Sequence, residues 1–290
     1  MEIFLQLLVS GLANGAVYAI VAFGYVVIFN VAGWLNFPQG NYMMFGAFFT
    51  LTFLALNLPL PVATILAIIT TTGIGILFGR LAIGRMRQPT ANMAILIMIG
   101  AIFLFDGIKM VSFGKFPKSL PFFSEQFSVE FAGAHIPTQS LWVVGITLIL
   151  GIALWYFFNR QLYGKAMRAV AQNPLAAKLA GINTRRLVIL AVAISSGIGA
   201  LGGIAIAPLT FIVFNAAMLF TLRGFIAAVI GGGLVSYPGA FLGGVVVGLI
   251  EAFTIGYVTS LYKDVVLFSV LIIILLWRPT GILGPREAKN

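Results

Sequence analysis

The chain has 290 residues, 61% of them hydrophobic and only 8% charged, with a formal net charge of +10. An average soluble domain carries roughly a quarter charged residues, so this chain cannot cover a water-facing surface with polar groups. Cysteine is absent and His135 is the single histidine, which excludes disulfide frameworks, thiolate metal sites and a histidine metal cluster.

The first apolar run, 4–29, follows Met1, Glu2 and Ile3 with no basic leader, so it is expected to stay in the mature chain and not to be cleaved as a signal peptide. Further runs follow at 38–56, 62–83, 92–112, 139–158, 187–207, 211–233, 239–257 and 264–278. A helix needs about 20 residues to cross a hydrocarbon core of roughly 30 Å. These runs are continuous, whereas a membrane strand alternates apolar and polar residues over about ten positions. The expected fold is therefore all-α, a polytopic transmembrane helical bundle forming one domain over 1–290. It has about nine crossings, in the range of roughly 8–10. Two places, 36–40 and 208–224, are candidates for broken or re-entrant helices.

Short loops rich in Lys and Arg stay on the cytoplasmic side of a membrane. Arg80, Arg85 and Arg87 form one basic cluster, Arg160, Lys165, Arg168, Lys178, Arg185 and Arg186 a second, and Arg278, Arg286 and Lys289 a third, offset only by Glu287. The interval 113–138 balances Lys115 and Lys118 against Glu125 and Glu130, and the turn at 258–264 sets Lys263 against Asp264. Those two are the expected outside loops, and the C-terminus is expected in the cytoplasm. Topology thus accounts for the net charge without nucleic acid as a partner.

Glycines recur four residues apart at Gly11/Gly15, Gly75/Gly79, Gly199/Gly203, Gly239/Gly243 and Gly244/Gly248. Small residues at that spacing share one helix face and let two backbones approach, a main source of helix association in lipid. Chemistry is thinner. A phosphate-binding loop needs G-x-x-x-x-G-K-[ST], and the nearest approach, 79–86, has Arg85 and Met86 at the last two positions. The seven acids are scattered and form no carboxylate pair, so no catalytic residue, metal site or cofactor is expected.

The long connection 159–186 is the most informative. Asn173 suits an N-cap, Pro174 the first helical position, Lys178 the C-terminal dipole and Gly181 a left-handed close. These delimit a helix of about seven residues, too short to stand alone. Its apolar residues Leu175, Ala176, Leu179 and Ile182 need a surface to rest on: a soluble partner, or anionic lipid held by Arg168, Arg185 and Arg186.

At this point the sequence resembles the Liv-type permeases of branched-chain amino acid ABC transporters. The resemblance rests on R-A-V-A-Q-N-P-L-A-A-K-L-A-G-I-N at 168–183, G-W-L-N-F-P-Q-G-N-Y-M-M-F-G-A at 33–47, G-G-G-L-V-S-Y-P-G-A-F-L-G-G at 231–244 and R-P-T-G-I-L-G at 278–284. It implies a bacterial inner-membrane permease paired with an identical or different second permease subunit, two cytoplasmic ATPase subunits and a periplasmic substrate-binding protein. Its solute would be a small amino acid or a relative. By that resemblance Arg168, Asn173, Pro174, Ala176, Ala177, Leu179, Gly181 and Ile182 belong to the ATPase-coupling segment. Pro38 and Asn41 stand where the family usually carries alanine and an acid.

Asn36 to Gln39 reads as a helix start, with Asn36 as cap and Gln39 reaching back as in a capping box. It lines the path if it lies within the bilayer and is otherwise an ordinary loop end. Asn14, Asn36, Gln39, Asn41 and Asn215 are the path candidates. Arg223 and Glu251 sit mid-segment in consecutive helices and are a candidate intramembrane ion pair, structural or gating. Asp106 and Lys109, three apart, are expected to satisfy each other at the interface. The alternatives, an ion-coupled secondary carrier and a channel, would need a titratable relay or a pore-lining ring, and for the relay only Glu251 and Asp106 are present.

Overall fold

The computed structural model describes residues 2–83, 91–124, 128–131 and 134–284. Arg85, Arg87, Glu125, Arg286, Glu287 and Lys289 lie outside the described residues. Every apolar run becomes a helix: α1 (Glu2–Ala32), α2 (Gln39–Ala55), α3 (Leu60–Phe78) with a π-helical turn (Gly79–Ile83), α4 (Ala91–Phe113), α5 (Thr138–Arg160), α8 (Thr184–Ile206), α9 (Ala217–Gly232), α10 (Tyr237–Tyr257) and α11 (Lys263–Trp277). Two further helices, α6 (Leu162–Gln172) and α7 (Pro174–Leu179), fill the polar connection. The chain is an all-α polytopic bundle.

Six of these helices, α1, α3, α4, α5, α8 and α10, are long and apolar enough to cross a membrane. The other three are shorter, with 17 residues in α2, 16 in α9 and 15 in α11. The backbone is non-helical at 33–38 and at 207–216, overlapping the expected breaks at 36–40 and 208–224, of which 39–40 and 217–224 are already helical. An element absent from the sequence reading is the antiparallel hairpin of β1 (Ser128–Phe131) and β2 (Ala134–Pro137) in the 113–138 loop. The alternation of Ser128, Val129, Glu130 and Phe131 has strand period and not helix period.

The chain divides into two compact units. The first comprises 1–26, 121–151 and 222–290. Glycine sets its packing: a Cβ on Gly15 would stand 2.8 Å from the Gly244 carbonyl oxygen, so α1 and α10 meet backbone to backbone. Gly239 and Gly243 bring α10 equally close to Gly231 of α9. Ser236 caps α10 by accepting from Gly239 N at 3.1 Å, with Pro238 in the first turn. The 278–284 segment returns to this turn, where Ile282 N donates to Ile230 O at 2.8 Å and Leu283 N to Gly231 O at 2.7 Å. The 231–244 and 278–284 motifs are therefore one structural feature.

The second unit comprises 27–120 and 152–221. Its centre is α2, whose first ten residues are all buried. Helix α2 packs chiefly on α3 and α8 and only lightly on α4. Gly199 and Gly203 of α8 meet Tyr42 and Met43 of α2, and Gly75 of α3 meets Ser196. On the other side Tyr42 and Phe45 pack on Phe105 of α4, with ring centroids 6.0 and 5.5 Å away. An apolar cleft of about 670 Å³ runs between α3 and α4 down to Phe45 and Phe105. The 113–120 and 207–216 segments are pinned together by Lys118 N to Ile212 O (3.1 Å) and Ile212 N to Lys118 O (2.7 Å).

Candidate functional site

Three features rise above packing, and the first is charged. In the first unit Arg223 of α9 lies 3.0 Å from Glu251 of α10 and 3.4 Å from Asp264 at the start of α11. The Arg223 guanidinium also donates to Tyr18 Oη of α1 at 3.0 Å, and Tyr18 in turn donates to the Glu251 carboxylate. Lys263 Nζ stands 3.9 Å from the same carboxylate. Four helices thus converge on one acid, which is 4% exposed. Sequence reasoning named Arg223 and Glu251 but missed Tyr18 and Asp264, because an aromatic in an apolar helix carries no signal of its hydroxyl's partner.

The second feature is uncharged and lies in the second unit at the break before α2. Asn36 is not the helix cap. Pro38 holds that position without a side-chain hydrogen bond, and the Asn36 contribution is a backbone turn, Gln39 N to Asn36 O at 3.1 Å. Proline fixes φ for the helix entry, which leaves the Asn36 amide free to act elsewhere. Asn36 Nδ2 donates to Gln39 Oε1 at 3.0 Å and to Ser195 Oγ at 3.3 Å. Ser195 Oγ donates to Gln39 Oε1 at 2.6 Å, and Gln39 Nε2 donates to Ser195 O at 3.0 Å. Thr221 Oγ1 accepts from Gly40 N at 3.0 Å and donates to Phe37 O at 3.3 Å. Asn36, Gln39, Asn41 and Ser195 are each 0% exposed. Ser195 was legible only as one of two adjacent serines in a glycine-rich apolar helix.

Within this patch some groups have no partner. Both amide atoms of Asn41, the Asn36 Oδ1 atom and the Tyr42 hydroxyl are buried without a hydrogen bond. Each such group costs about 1–3 kcal/mol in the folded state. Of the remaining path candidates, Asn14 is half-buried in α1 of the first unit, and Asn215 is exposed in the 207–216 segment.

The third feature is α7. Asn173 Oδ1 accepts from Leu175 N at 3.1 Å and Ala176 N at 2.9 Å. Gly181 closes the helix at φ +82°, and Ile182 N returns to Ala177 O at 3.0 Å. Arg168 of α6 donates to Asn159 Oδ1 at 3.1 Å and so braces α6 against the end of α5. Ala177 is buried within the chain, while Leu175 and Leu179 are 69% and 84% exposed. The apolar residues seeking an outside surface are therefore Leu175 and Leu179, whereas Ala177 belongs to the chain's own packing. Pro174 and Ala176 are exposed and Ile182 is half-buried.

Lys109 departs from its expected interfacial place. It pairs with Asp106 at 2.8 Å but is 0% exposed, its ammonium 5.9 Å from the Phe45 ring centroid. The two acids that an ion-coupled carrier would need as a relay are each held in an ion pair.

An all-α polytopic bundle with broken helices and polar groups buried among apolar ones defines a membrane transport protein. Comparison with known proteins gives the particular family. Residues 7–275 match the family described as branched-chain amino acid transport system, permease component, and the chain belongs to it. It is 32% identical to the high-affinity branched-chain amino acid transport system permease protein BraD of Pseudomonas aeruginosa, over 99% of this chain and 98% of that protein. It is likewise 32% identical to the permease protein LivH of Escherichia coli K12, over 99% and 97%. The probable LivH of Methanocaldococcus jannaschii is 29% identical over 91% and 88%.

Proposed function

We propose that this chain is one of two membrane-spanning permease subunits of an ATP-driven importer in the bacterial inner membrane. The solute is a branched-chain amino acid or a small relative delivered by a periplasmic binding protein. Two ATPase subunits on the cytoplasmic side supply the energy. BraD and LivH, similar to this chain along its whole length, are by name permeases of branched-chain amino acid transport systems.

The observation that carries the coupling role is α7: a helix of six residues, capped at both ends, that turns Leu175 and Leu179 outward. A helix so short persists only where caps and packing hold it, and two exposed leucines one turn apart form a docking edge for a soluble partner. Four basic residues near it, Lys165, Arg168, Arg185 and Arg186, support a cytoplasmic side for this face by the positive-inside rule. The backbone bridge between Lys118 and Ile212 joins two segments that the same orientation puts outside, and the C-terminus after α11 then falls in the cytoplasm.

The test is co-purification from cells expressing the neighbouring genes. The double variant Leu175→Glu, Leu179→Glu is expected to fold, since both side chains are exposed, yet to lose its ATPase subunits and ATP-driven leucine uptake. Full recovery of the ATPase subunits with this variant would sink the coupling role of α7. An unaltered chain that purifies alone and transports in liposomes without ATP would favour a secondary carrier or a channel.

A further inference from the structure

Among the described residues of the second unit, buried polar atoms without a hydrogen bond occur on Thr71 of α3, on the Asp106–Lys109 ion pair of α4 and, most densely, between Trp34 and Tyr42. Asn36, Asn41 and Tyr42 are each 0% exposed, and each presents at least one polar atom without a partner. Exchanging the two amide atoms of Asn41 changes nothing, because neither has a partner. Native proteins rarely leave buried polar atoms unmet, and those that persist mark strain or a missing ligand.

Their position narrows the choice. Asn41 lies one turn before Phe45 on the same helix face, and Tyr42 packs with Phe45 on Phe105 of α4. This is the side on which α2 is only lightly held, and the apolar cleft between α3 and α4 reaches the same two phenylalanines. The opposite, glycine-lined contact with α8 is backbone-tight. The Asn41 amide and the Tyr42 hydroxyl thus lie toward the seam of this unit with most room to part, while Asn36 sits between them and Ser195 of α8.

Their chemistry narrows the ligand. Helix α2 carries no carboxylate and no basic side chain, and neither does α8 beyond its first turn; on α4 the buried Lys109 ammonium is neutralised by Asp106 at 2.8 Å. The orphaned atoms are an amide oxygen, a full amide and a hydroxyl, offering both donors and acceptors and no net charge.

We propose that Asn41, with the Asn36 side-chain Oδ1 and the Tyr42 hydroxyl, forms an uncharged subsite for the translocated solute. The solute is a net-neutral polar molecule bearing both donors and acceptors, such as an amino acid in its zwitterionic form. In the conformation described here the subsite is sealed and unmet. Parting of α2 from α4 opens it to the solute, so the unmet groups favour opening. The proposal rests on the permease reading above.

The experiment compares the transporter, purified with its co-expressed ATPase and binding-protein partners and reconstituted in proteoliposomes, with three variants of this chain. Uptake of radiolabelled L-leucine and the melting temperature of the detergent-solubilised complex are read for each. Asn41→Leu keeps the side-chain size and removes both orphaned atoms. Its expected signature is a melting temperature higher by about 2–4 °C with leucine uptake about tenfold lower. Tyr42→Phe removes only a hydroxyl, so it should fold, and uptake should fall about threefold. Thr71→Val removes another buried, unpartnered hydroxyl, on α3 and not one of the three proposed subsite residues; its uptake should match the unaltered chain. Unaltered uptake in both Asn41→Leu and Tyr42→Phe overturns the subsite. So does a fall in melting temperature with Asn41→Leu, which would mean that the amide is already met by a structural water. An unaltered transporter that takes up no leucine would overturn the amino-acid reading instead.

Discussion

In the first unit the charges of α9 and α10 answer one another: Arg223 meets Glu251 at 3.0 Å, Asp264 at 3.4 Å and the Tyr18 hydroxyl at 3.0 Å. In the second unit α2 carries no charge, yet the whole Asn41 amide and the Tyr42 hydroxyl have no partner. The physical stakes run opposite to that result. An unpaired charge in a low-dielectric interior costs far more than an unpaired amide, so the charged cluster exists only because it is closed. The neutral cluster can be left open at a tolerable cost. Closure is the mark of a structural site, and an open neutral patch is the mark of a surface that meets something else.

The largest effect expected from breaking this contrast is at Glu251. Glu251→Leu leaves Arg223 only the half-exposed Asp264 carboxylate and the Tyr18 hydroxyl, and losing the buried partner of such a pair costs up to about 3–5 kcal/mol. The variant should be recovered in poor yield and melt early. Replacing both partners, Arg223→Met with Glu251→Leu, should restore most of the stability, and a pair variant that transports normally would fix the cluster as structural and not gating.

A smaller effect is expected at Thr221, which belongs to the satisfied part of the neutral patch. Thr221→Val keeps the shape but leaves Gly40 N, at the start of α2, without its acceptor, a loss of about 1–3 kcal/mol. Its sign is opposite to that expected for Asn41→Leu, and thermal melts of the two variants side by side would show whether satisfied and orphaned groups are truly different.

The smallest effect is expected at Lys263, whose side chain is 30% exposed and whose ammonium is 3.9 Å from Glu251. Rim ion pairs contribute about 0–1 kcal/mol. Lys263→Ala should shift the melting temperature little, and a large drop would place this lysine inside the cluster.

Much of this arrangement was legible beforehand and some was not. The Asn173 cap, the Gly181 close and the breaks at 33–38 and 207–216 follow from residues within a few positions of one another. The same local reading put the cap of α2 on Asn36, where Pro38 stands and Asn36 instead reaches Ser195, 159 positions away. It also assigned Lys109 to the interface, where the packing of α2 and α4 buries it.

By itself the sequence determined that the chain is helical and membrane-spanning, where its helices end, where its basic clusters fall and which family it belongs to. Hydropathy, cap chemistry and charge act over one or two turns of chain, so they can be read along it. Only the tertiary structure decided which polar atoms have partners. Tyr18 and Glu251 are 233 positions apart, and Gln39 and Ser195 156 apart, so their meeting depends on glycine-permitted helix approach, which one strand of sequence does not encode locally. The same packing decided that Ala177 points inward while Leu175 and Leu179 point out, and that Asn41 is buried with nothing to bond.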